Sequence, residues 1–376
     1  MSAIGTFRCS AAALERPISG AIAHDAGSER SIPGPDDVRK ILQAAGLLIA
    51  VAAALLVGAG AIWERVERRR AVRDFPAPGR LIDIGGRRIQ IDCRGTGGPT
   101  VVFEAGFGIN GSLAWTKVHD DVAKFTRACA YSRAGIIWSD DKGGPHDGVG
   151  IARDLHATLA AAGESSPFVL AGHSLGGPYI TIYTKLHGDE VAGLVYVDAS
   201  HPDQQRRREA ALGRPLKFTA IATISRVASA LSWTGIVRLG AYLLPPGANV
   251  PGETVQVSKA FAAKSFAPAL AEFDAIASTL DAAGSLRKLG ARPVVVLTNT
   301  KPLSEASLKG TGLSMAEGEK LDGVRLALQN DMASWSSRGT HRLLDDAGHN
   351  IQFDRPDAVV TAIREVVDSV RSGASR

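Results

Sequence analysis

The sequence predicts an α/β fold in which helices cover both faces of a mostly parallel sheet. Short apolar runs alternate with helical segments, and the predicted strands are 100–104, 127–131, 167–172, 192–198, 292–297 and 341–345. A strand, a sharp turn and a helix also follow one another around Ser174. About 300 residues follow the N-terminal region, which is enough for one large domain with a substantial core.

The N-terminal region predicts a membrane anchor. Residues 1–40 are rich in Ala, Ser, Gly and Pro and are expected to form a disordered leader. The segment 41–63 contains no charged side chain and, at about 34 Å as a helix, is long enough to span a bilayer. A cleavable signal peptide cut near Ala61 is the alternative. The long leader and the long apolar run favour a single transmembrane helix.

A basic segment, 64–77, follows the apolar run and is expected to be a juxtamembrane linker. It carries more cationic side chains than the other flank of the run: Arg65, Arg68, Arg69, Arg70 and Arg73, against Arg30, Arg39 and Lys40. The positive-inside tendency therefore predicts a cytoplasmic catalytic domain. Because much of the net charge of +5 lies beside the anchor, it favours contact with anionic lipid. No nucleic-acid partner is expected.

The cysteines predict neither a disulfide framework nor a metal site. Only three are present, and Cys93 and Cys129 fall in predicted strands, where small core residues are the simplest interpretation. No Cys/His cluster has metal-ligand spacing. Neither a metal nor a cofactor is therefore expected.

A glycine-rich loop follows the strand 100–104. It runs through Ala105, Gly106, Phe107 and Gly108 and can aim the Phe107 backbone N–H at a substrate carbonyl oxygen. Phosphate binding is the alternative for such a loop. The loop lacks both the Lys-Ser/Thr ending of a P-loop and G-x-G-x-x-G spacing. An oxyanion-binding loop is therefore the favoured interpretation.

A serine between two glycines marks the turn after the strand 167–172. Gly172, Ser174 and Gly176 form a G-x-S-x-G pattern, and the following residues can continue as a helix. The turn is so tight that the two glycine positions must lack a Cβ. Ser174 is then a strained, exposed nucleophile, and the Leu175 N–H is a second oxyanion donor. A chance glycine-rich turn is the alternative in a chain with 41 glycines.

The candidate acid is Asp198, at the end of the strand 192–198. A nucleophilic serine in a strand–turn–helix of this kind, called a nucleophile elbow, is followed along the chain by an acid and then by a histidine. The later strand 292–297 ends in Thr298, Asn299 and Thr300, without a carboxylate. A turn-capping role is the alternative for Asp198. Asp345 and Asp346 come too soon before the candidate histidine to orient its ring easily.

The candidate base is His349, on the loop between the last strand and the last helix. The last helix has an apolar stripe at helical spacing: Val359, Val360, Ile363, Val366, Val367 and Val370. His341, at the start of the last strand, is expected to be structural. His173, beside the serine, is expected to pack under the turn rather than to react.

An insertion, 203–287, separates the two parts of the predicted core, 78–202 and 288–376. It begins with three arginines at 206–208 and continues as apolar helical sequence broken by Pro245, Pro246 and Gly247. The simple interpretation is a set of helices that pack on one another. The functional interpretation is a cap whose inner face forms an apolar acyl or alcohol pocket.

These segments together resemble the α/β-hydrolase superfamily, and specifically its bacterial single-domain members with a helical cap. The matching segments are Gly79–Leu81, 85–87, 104–108, 131–135, the serine turn, 197–202, and Gly348 with His349. The resemblance implies an eight-stranded sheet with the cap inserted after strand six. Two residues depart from the family pattern, which usually has Asp where Ser132 stands and Gly where Ile137 stands. A bulkier Ile137 is expected to reshape the pocket wall.

The combined prediction is a membrane-anchored serine hydrolase that cleaves a small or medium apolar ester. Ser174 is the nucleophile, His349 the base and Asp198 the acid, with oxyanion donors at Phe107 and Leu175. The resemblance includes esterases, lipases, C–C hydrolases, haloperoxidases and epoxide hydrolases, so it does not define the substrate. Acyl transfer or cofactor-free perhydrolysis would use the same residues. A catalytically silent binding module is the alternative from another class.

Overall fold

The computed structural model describes residues 34–216, 219–308 and 311–374. The predicted leader, 1–40, lies outside the described residues except for 34–40. The first helix, α1, runs Pro35–Asp74, with Pro35 at its first position and Asp36 and Asp37 in its first turn, as helix N-termini favour. By length and composition α1 can cross a membrane.

The basic segment predicted as a linker is helical instead, because α1 continues through it to Asp74. Glu64 is paired with Arg68 and Glu67 with Arg70 at helical spacing, and such pairs stabilise a helix. Glu64 and Ala71 are buried. The chain divides into two compact units at Ala54 and Leu55. The end of α1 belongs to the second unit, together with the sheet and the cap.

Eight strands form one sheet. They are β1 (Arg80–Asp83), β2 (Arg88–Arg94), β3 (Thr100–Glu104), β4 (Ala128–Ser132), β5 (Phe168–His173), β6 (Val191–Val197), β7 (Gly290–Asn299) and β8 (Ser336–Leu344). Their spatial order is β1-β2-β4-β3-β5-β6-β7-β8. The β1–β2 and β2–β4 pairs are antiparallel, and the pairs from β4 to β8 are parallel. The predicted mostly parallel, eight-stranded sheet is therefore confirmed.

Twelve further helices occur in the described residues. They are α2 (His119–Ala123), α3 (Gly148–Ala162), α4 (Gly176–Leu186), α5 (Gln204–Leu212), α6 (Thr219–Ala230), α7 (Ile236–Leu243), α8 (Gly252–Asp274), α9 (Ile276–Gly284), α10 (Glu305–Leu308), α11 (Met315–Ser334), α12 (Ile351–Asp354) and α13 (Pro356–Ala374). Helices α5 to α9 lie between β6 and β7, where the cap was predicted.

Two apolar cores lie on opposite faces of the sheet. Consecutive residues of one strand enter different cores, as the two-residue period of a strand requires. Val102, Leu170 and Leu194 pack in the core that includes α3, α4 and α11. Their neighbours Val101, Val169 and Val195 pack in the core that includes α2 and α13. Helices therefore cover both faces, and the α13 stripe packs as predicted.

Two cysteines form a disulfide, contrary to the expectation of separate core thiols. Cys93 of β2 and Cys129 of β4 are register partners, and their Cα atoms lie 4.0 Å apart. The two positions are 36 residues apart in sequence. Only the antiparallel pairing of β2 with β4 brings them face to face, and cysteine spacing alone does not contain that information.

Candidate active site

The serine turn joins β5 to α4 with the predicted strain. Ser174 has a φ of 52°, in the left-handed region that non-glycine residues rarely adopt. A Cβ on Gly172 would lie 2.6 Å from the Gly176 carbonyl oxygen, and one on Gly176 would lie 2.5 Å from the Glu104 carbonyl oxygen. The backbone therefore approaches both glycines too closely for a Cβ, as the sequence predicted.

The structure brings the three predicted residues into one hydrogen-bonded chain. His349 Nε2 lies 3.0 Å from Ser174 Oγ, and His349 Nδ1 lies 2.6 Å from Asp198 Oδ2. Asp198 directly follows β6, and His349 lies on the loop between β8 and α12. The carboxyl ends of these parallel strands meet at one edge of the sheet. Nucleophile, base and orienting acid can therefore act in sequence.

Asp198 is held by side chains that the sequence did not point to. It is buried, at 3% exposure. Its Oδ1 accepts from Arg325 and from Gln329, both at 3.0 Å, and its Oδ2 accepts from the Asn299 amide at 2.6 Å. Burial acts to raise the pKa of Asp198, but the hydrogen bond from His349 and the Arg325 charge outweigh it and lower that pKa. The carboxyl group is therefore ionised and fixed.

Asn299 occupies the end of β7, the strand end that carries no carboxylate. It now donates to the acid on the neighbouring strand. The rejected aspartates lie elsewhere: Asp203 is paired with Arg287, and Asp346 is paired with Arg355. The predicted choice of Asp198 agrees with this geometry. Its role in catalysis stays a prediction.

The neighbouring histidines have structural contacts. His173 is buried, and its Nε2 lies 3.0 Å from the His349 carbonyl oxygen. Burial lowers the pKa of His173 to about 3, so its ring is neutral. His341 Nε2 lies 2.7 Å from Thr298 Oγ1. Both positions match the structural interpretation made from the sequence.

The predicted oxyanion donors flank the serine. Leu175 is the N-cap residue of α4, and Phe107 lies on the loop after β3. That loop touches the elbow, because a Cβ on Gly106 would lie 3.0 Å from Ser174 Cβ. Within the described residues, neither the Phe107 nor the Leu175 backbone N–H donates a hydrogen bond. Both groups are therefore free to bind a developing oxyanion.

A buried arginine supports this loop, and its role was missed from the sequence. All five N–H donors of Arg133 are used, at 2.8–2.9 Å, by the Glu104 and Glu272 carboxylates and the Ala105 and Gly106 carbonyls. Glu272 belongs to α8 of the cap. Burial raises the pKa of Glu104 to about 7. Arg133 therefore ties the loop below Phe107 to the cap.

The two departures from the family pattern lie away from the serine. Ser132 is buried and donates to the Gln90 side chain at 2.8 Å. Ile137 has a φ of 47° and is buried against α8, where its N–H donates to Ser265 Oγ at 2.9 Å. Ile137 does not line the cavity at Ser174, so its predicted effect on the pocket wall is not observed.

A cavity of about 730 Å³ adjoins Ser174 and His349. Its wall is formed by α5, by residues 299–307 and by α11, and polar and apolar atoms contribute about equally to its surface. The apolar residues of the wall are few: Ala199, Pro302, Leu303, Val324 and Leu328. Of the described cap helices, only α5 lines this cavity, so the apolar inner face predicted for the cap is not found here. The large apolar side chains of α6 and α7 are mostly exposed on the surface instead.

One histidine cluster could hold a metal ion. His156, His187 and Glu190 place their ligand atoms within 4.8 Å of one another. The rings of His156 and His187 are stacked in parallel, with centroids 3.9 Å apart, and His156 Nε2 lies 3.0 Å from Glu190. The fold assembles this group from α3, the end of α4 and the turn before β6, so local sequence spacing did not reveal it. None of the three residues lines the cavity at Ser174.

The chain belongs to the α/β-hydrolase family, because residues 55–362 match the family described as the alpha/beta hydrolase family. This match confirms the resemblance to the α/β-hydrolase superfamily and the predicted fold class. An uncharacterized protein of Schizosaccharomyces pombe is 45% identical over 75 residues, which are 20% of this chain and 14% of that protein. The chain spans less than half the length of the curated relatives it matches.

Solved structures share the fold at low sequence identity. A Pseudomonas aeruginosa protein provisionally assigned as an epoxide hydrolase is 18% identical, with a TM-score of 0.56, over 79% of this chain and 98% of its own. A thermophilic esterase from Thermogutta terrifontis is 18% identical, with a TM-score of 0.51, over 77% of this chain and 97% of its own. Since one fold hosts several chemistries, function must come from the site.

Proposed function

We propose that this protein is a serine ester hydrolase that works through an acyl-enzyme intermediate. The observation that carries the proposal is the hydrogen-bonded chain from Ser174 through His349 to Asp198. A serine hydroxyl is a weak nucleophile by itself and needs an adjacent base whose own orientation is fixed. The strained elbow and the two free N–H groups beside it supply the remaining parts of acyl-transfer chemistry.

The reaction follows from these positions. His349 accepts the Ser174 proton while Ser174 Oγ attacks the ester carbonyl, and the N–H groups of Phe107 and Leu175 bind the oxyanion. Asp198 balances the charge of the protonated imidazole. His349 then protonates the leaving alcohol, and the ester becomes an acyl-serine. Water then attacks the acyl carbon while His349 accepts its proton, and His349 returns that proton to Ser174 Oγ as the acyl–oxygen bond breaks and the acid leaves.

We propose that α1 anchors the protein as a single-pass membrane helix. Its apolar part is long enough to span a bilayer. The side of the membrane is a separate question. The arginines after the apolar run favour a cytoplasmic catalytic domain, whereas a Cys93–Cys129 disulfide is typical of an oxidising compartment. The redox state of these two cysteines in cells decides the orientation.

A fluorophosphonate probe tests the proposed nucleophile. We expect the wild-type chain to be labelled, and Ser174→Ala to be unlabelled and to lose ester hydrolysis by several powers of ten. Ser200→Ala is a matched control, because Ser200 lines the same cavity outside the hydrogen-bonded chain. An unlabelled wild-type chain that is correctly folded would identify a silent binding module. Labelling without hydrolysis, but with transfer to an added alcohol, would identify an acyltransferase.

A further inference from the structure

Three consecutive arginines of α5 have different environments. Arg206 is exposed and pairs with Asp203 at 3.2 Å. Arg207 is exposed and lies in a separate hollow beside Asp331. Arg208 is half-buried and lines the cavity that contains Ser174 and His349. Only one of the three guanidinium groups is therefore directed to the candidate active site.

The cavity contains more positive than negative charge. Its cationic side chains are Arg208, Lys301 and Arg325, and its carboxylates are Asp198 and Asp322. Arg325 bonds to both carboxylates, at 3.0 Å each. Among the described residues, neither Arg208 nor Lys301 has a hydrogen-bond or ion-pair partner. Asp322 thus bonds to Arg325, and Asp198 bonds to Arg325 and His349, so neither acid pairs directly with Arg208 or Lys301.

The position of Arg208 is electrostatically unfavourable without an anion. Burial, and then the nearby positive charge of Arg325, lower the pKa of Arg208. A partly buried charge is normally paired, because its desolvation is otherwise uncompensated. A carboxylate that entered the cavity could accept two parallel hydrogen bonds from the guanidinium group.

We infer that Arg208, with Lys301 at the more exposed rim, forms a subsite for a carboxylate group of the substrate. The substrate class is therefore an ester that carries a second, ionised carboxyl group, such as the monoester of a dicarboxylic acid. This inference rests on the proposed ester hydrolysis at Ser174. It replaces the apolar ester predicted from the sequence.

A matched pair of esters tests the subsite on the full chain in detergent. The p-nitrophenyl monoester of glutaric acid carries a free carboxylate, and p-nitrophenyl valerate has the same chain length without it. We expect wild-type kcat/KM to be at least about tenfold higher for the glutarate ester. Arg208→Gln should reduce this preference by roughly 10–100-fold, as expected for a lost charge-assisted bond. Arg208→Lys should retain part of it, and Arg207→Gln should leave both rates unchanged.

Equal loss on both esters in Arg208→Gln, or no preference in the wild type, would overturn the subsite. A binding measurement separates this from failure of the proposed reaction. In Ser174→Ala, titration with glutarate should show saturable binding that Arg208→Gln removes. If the wild type hydrolyses neither ester while glutarate still binds in an Arg208-dependent way, the subsite is retained and the proposed hydrolase is refuted. Tighter binding of inorganic phosphate than of glutarate would refute the carboxylate assignment.

A second, independent observation concerns the outside of the cap. Nine large apolar side chains of α6, α7 and the turn between and after them are 40–76% exposed. We call them the cap apolar face: Ile224, Val227, Leu231, Trp233, Ile236, Leu239, Tyr242, Leu243 and Leu244. Soluble proteins rarely leave such a large apolar group in contact with water.

The cap apolar face adjoins the end of the apolar part of α1. A Cβ on Gly60 would lie 2.4 Å from the Thr234 carbonyl oxygen, and one on Gly235 would lie 2.7 Å from the Trp63 ring. Arg238 of α7 is buried and binds the Glu64 carboxylate at 2.7 and 3.1 Å. This face is therefore continuous with the segment where the proposed anchor leaves the bilayer.

We propose that the cap apolar face lies in the interfacial layer of the same bilayer. Interfacial segments bury apolar side chains below the headgroups, and tryptophan is enriched at that depth. We assign the bilayer as the occupant of this surface, because Trp63, at the end of the apolar part of α1, lies directly beside it.

Brominated lipids test this contact with the full chain in nanodiscs. We expect lipids brominated near the headgroup end of the acyl chain to quench Trp233, so that Trp233→Phe removes a large part of the quenchable emission. Trp335→Phe is the control, since Trp335 is buried in the sheet core. If Trp233→Phe leaves the quenchable fraction unchanged, the face is not in the bilayer. Crosslinking between two copies through Leu243→Cys, with no quenching of Trp233, would instead assign the face to a dimer.

Discussion

The sheet and the cap differ in how well the hydrophobic pattern of the sequence predicts which side chains are buried. In the sheet, apolar residues are buried and the polar residues at strand ends meet in the site, as their pattern predicts. In the cap, apolar residues of α6 and α7 are exposed, while a charged residue of α5, Arg208, faces the cavity. Apolar character therefore predicted burial correctly for the sheet and incorrectly for α6 and α7 of the cap.

The acid at the end of β6 is the largest test of the sheet side of this comparison. Asp198→Asn should lower kcat by about 10³–10⁴-fold, because an amide cannot balance the imidazolium charge. Asp345→Asn, an exposed change near His349, should have little effect. Steady-state kinetics checks both variants. Near wild-type turnover in Asp198→Asn would refute the acid.

The same site allows a rescue experiment. Adding Asn299→Asp to Asp198→Asn places a carboxylate on the neighbouring strand, where the two side chains are in hydrogen-bond contact. We expect the double variant to recover at least about tenfold in kcat over the single variant, because a charge returns within reach of the imidazole. No recovery would show that only the β6 position can orient His349.

The junction between the sheet and the cap is tested by Arg133→Lys. Lysine cannot provide the forked donors that Arg133 gives to Glu104 and Glu272. Breaking a buried pair costs about 3–5 kcal/mol, so Tm should fall by at least about 5 °C. Arg88→Lys, at the exposed pair with Asp140, should cost less than about 1 kcal/mol. Equal Tm values for the two variants would contradict this role.

The disulfide tests the antiparallel edge of the sheet. Cys93→Ser with Cys129→Ser should lower the free energy of unfolding by about 2–4 kcal/mol. Thiol alkylation of the denatured wild-type chain should modify only Cys9 without reductant, and all three cysteines with it. The cells are quenched with acid before lysis, so that the thiols and disulfides keep the state that they have in the cell. Three reactive thiols without reductant would support the cytoplasmic orientation and refute the bond.

The contact of α1 with the cap should give the smallest effect. Glu64→Gln leaves Arg238 with a weaker partner in a buried position, at a cost of about 1–3 kcal/mol. Amide hydrogen exchange in α7 should therefore accelerate by roughly 5–100-fold, while the sheet is unchanged. Glu67→Gln, at a more exposed pair, is the control. Equal acceleration in both variants would show that α7 does not depend on Glu64.

The sequence identified local features and missed those that depend on pairing between distant segments. Gly172, Ser174 and Gly176 are constrained by one turn, so their spacing is visible in the sequence. Asp198 and His349 follow from their positions at strand ends, since the parallel order brings those ends together. The roles of Arg325, Gln329 and Arg133 could not be predicted, because the carboxylates that they hold in the site are 29–139 residues away: Asp198, Glu104 and Glu272.

The cap illustrates the same limit. Helical periodicity predicted its helices but could not say which face is covered, because that depends on how α6, α7 and the end of α1 pack. The arginines at 206–208 appeared as one basic run. Their three separate environments arise from helix geometry, which turns consecutive side chains to different directions.

The hydrogen bonds of Arg133 divide the surroundings of the site into a part that must stay constant and a part that can vary. Arg133 fixes the oxyanion loop to α8, and among the described residues it shares no hydrogen bond or ion pair with the segment 301–307, which forms part of the cavity rim. Sequence variation in that segment can therefore alter which molecules enter without disturbing the atoms that carry out the reaction. For directed evolution, 301–307 is the region to randomise, and Arg133 with its partners is the region to keep constant.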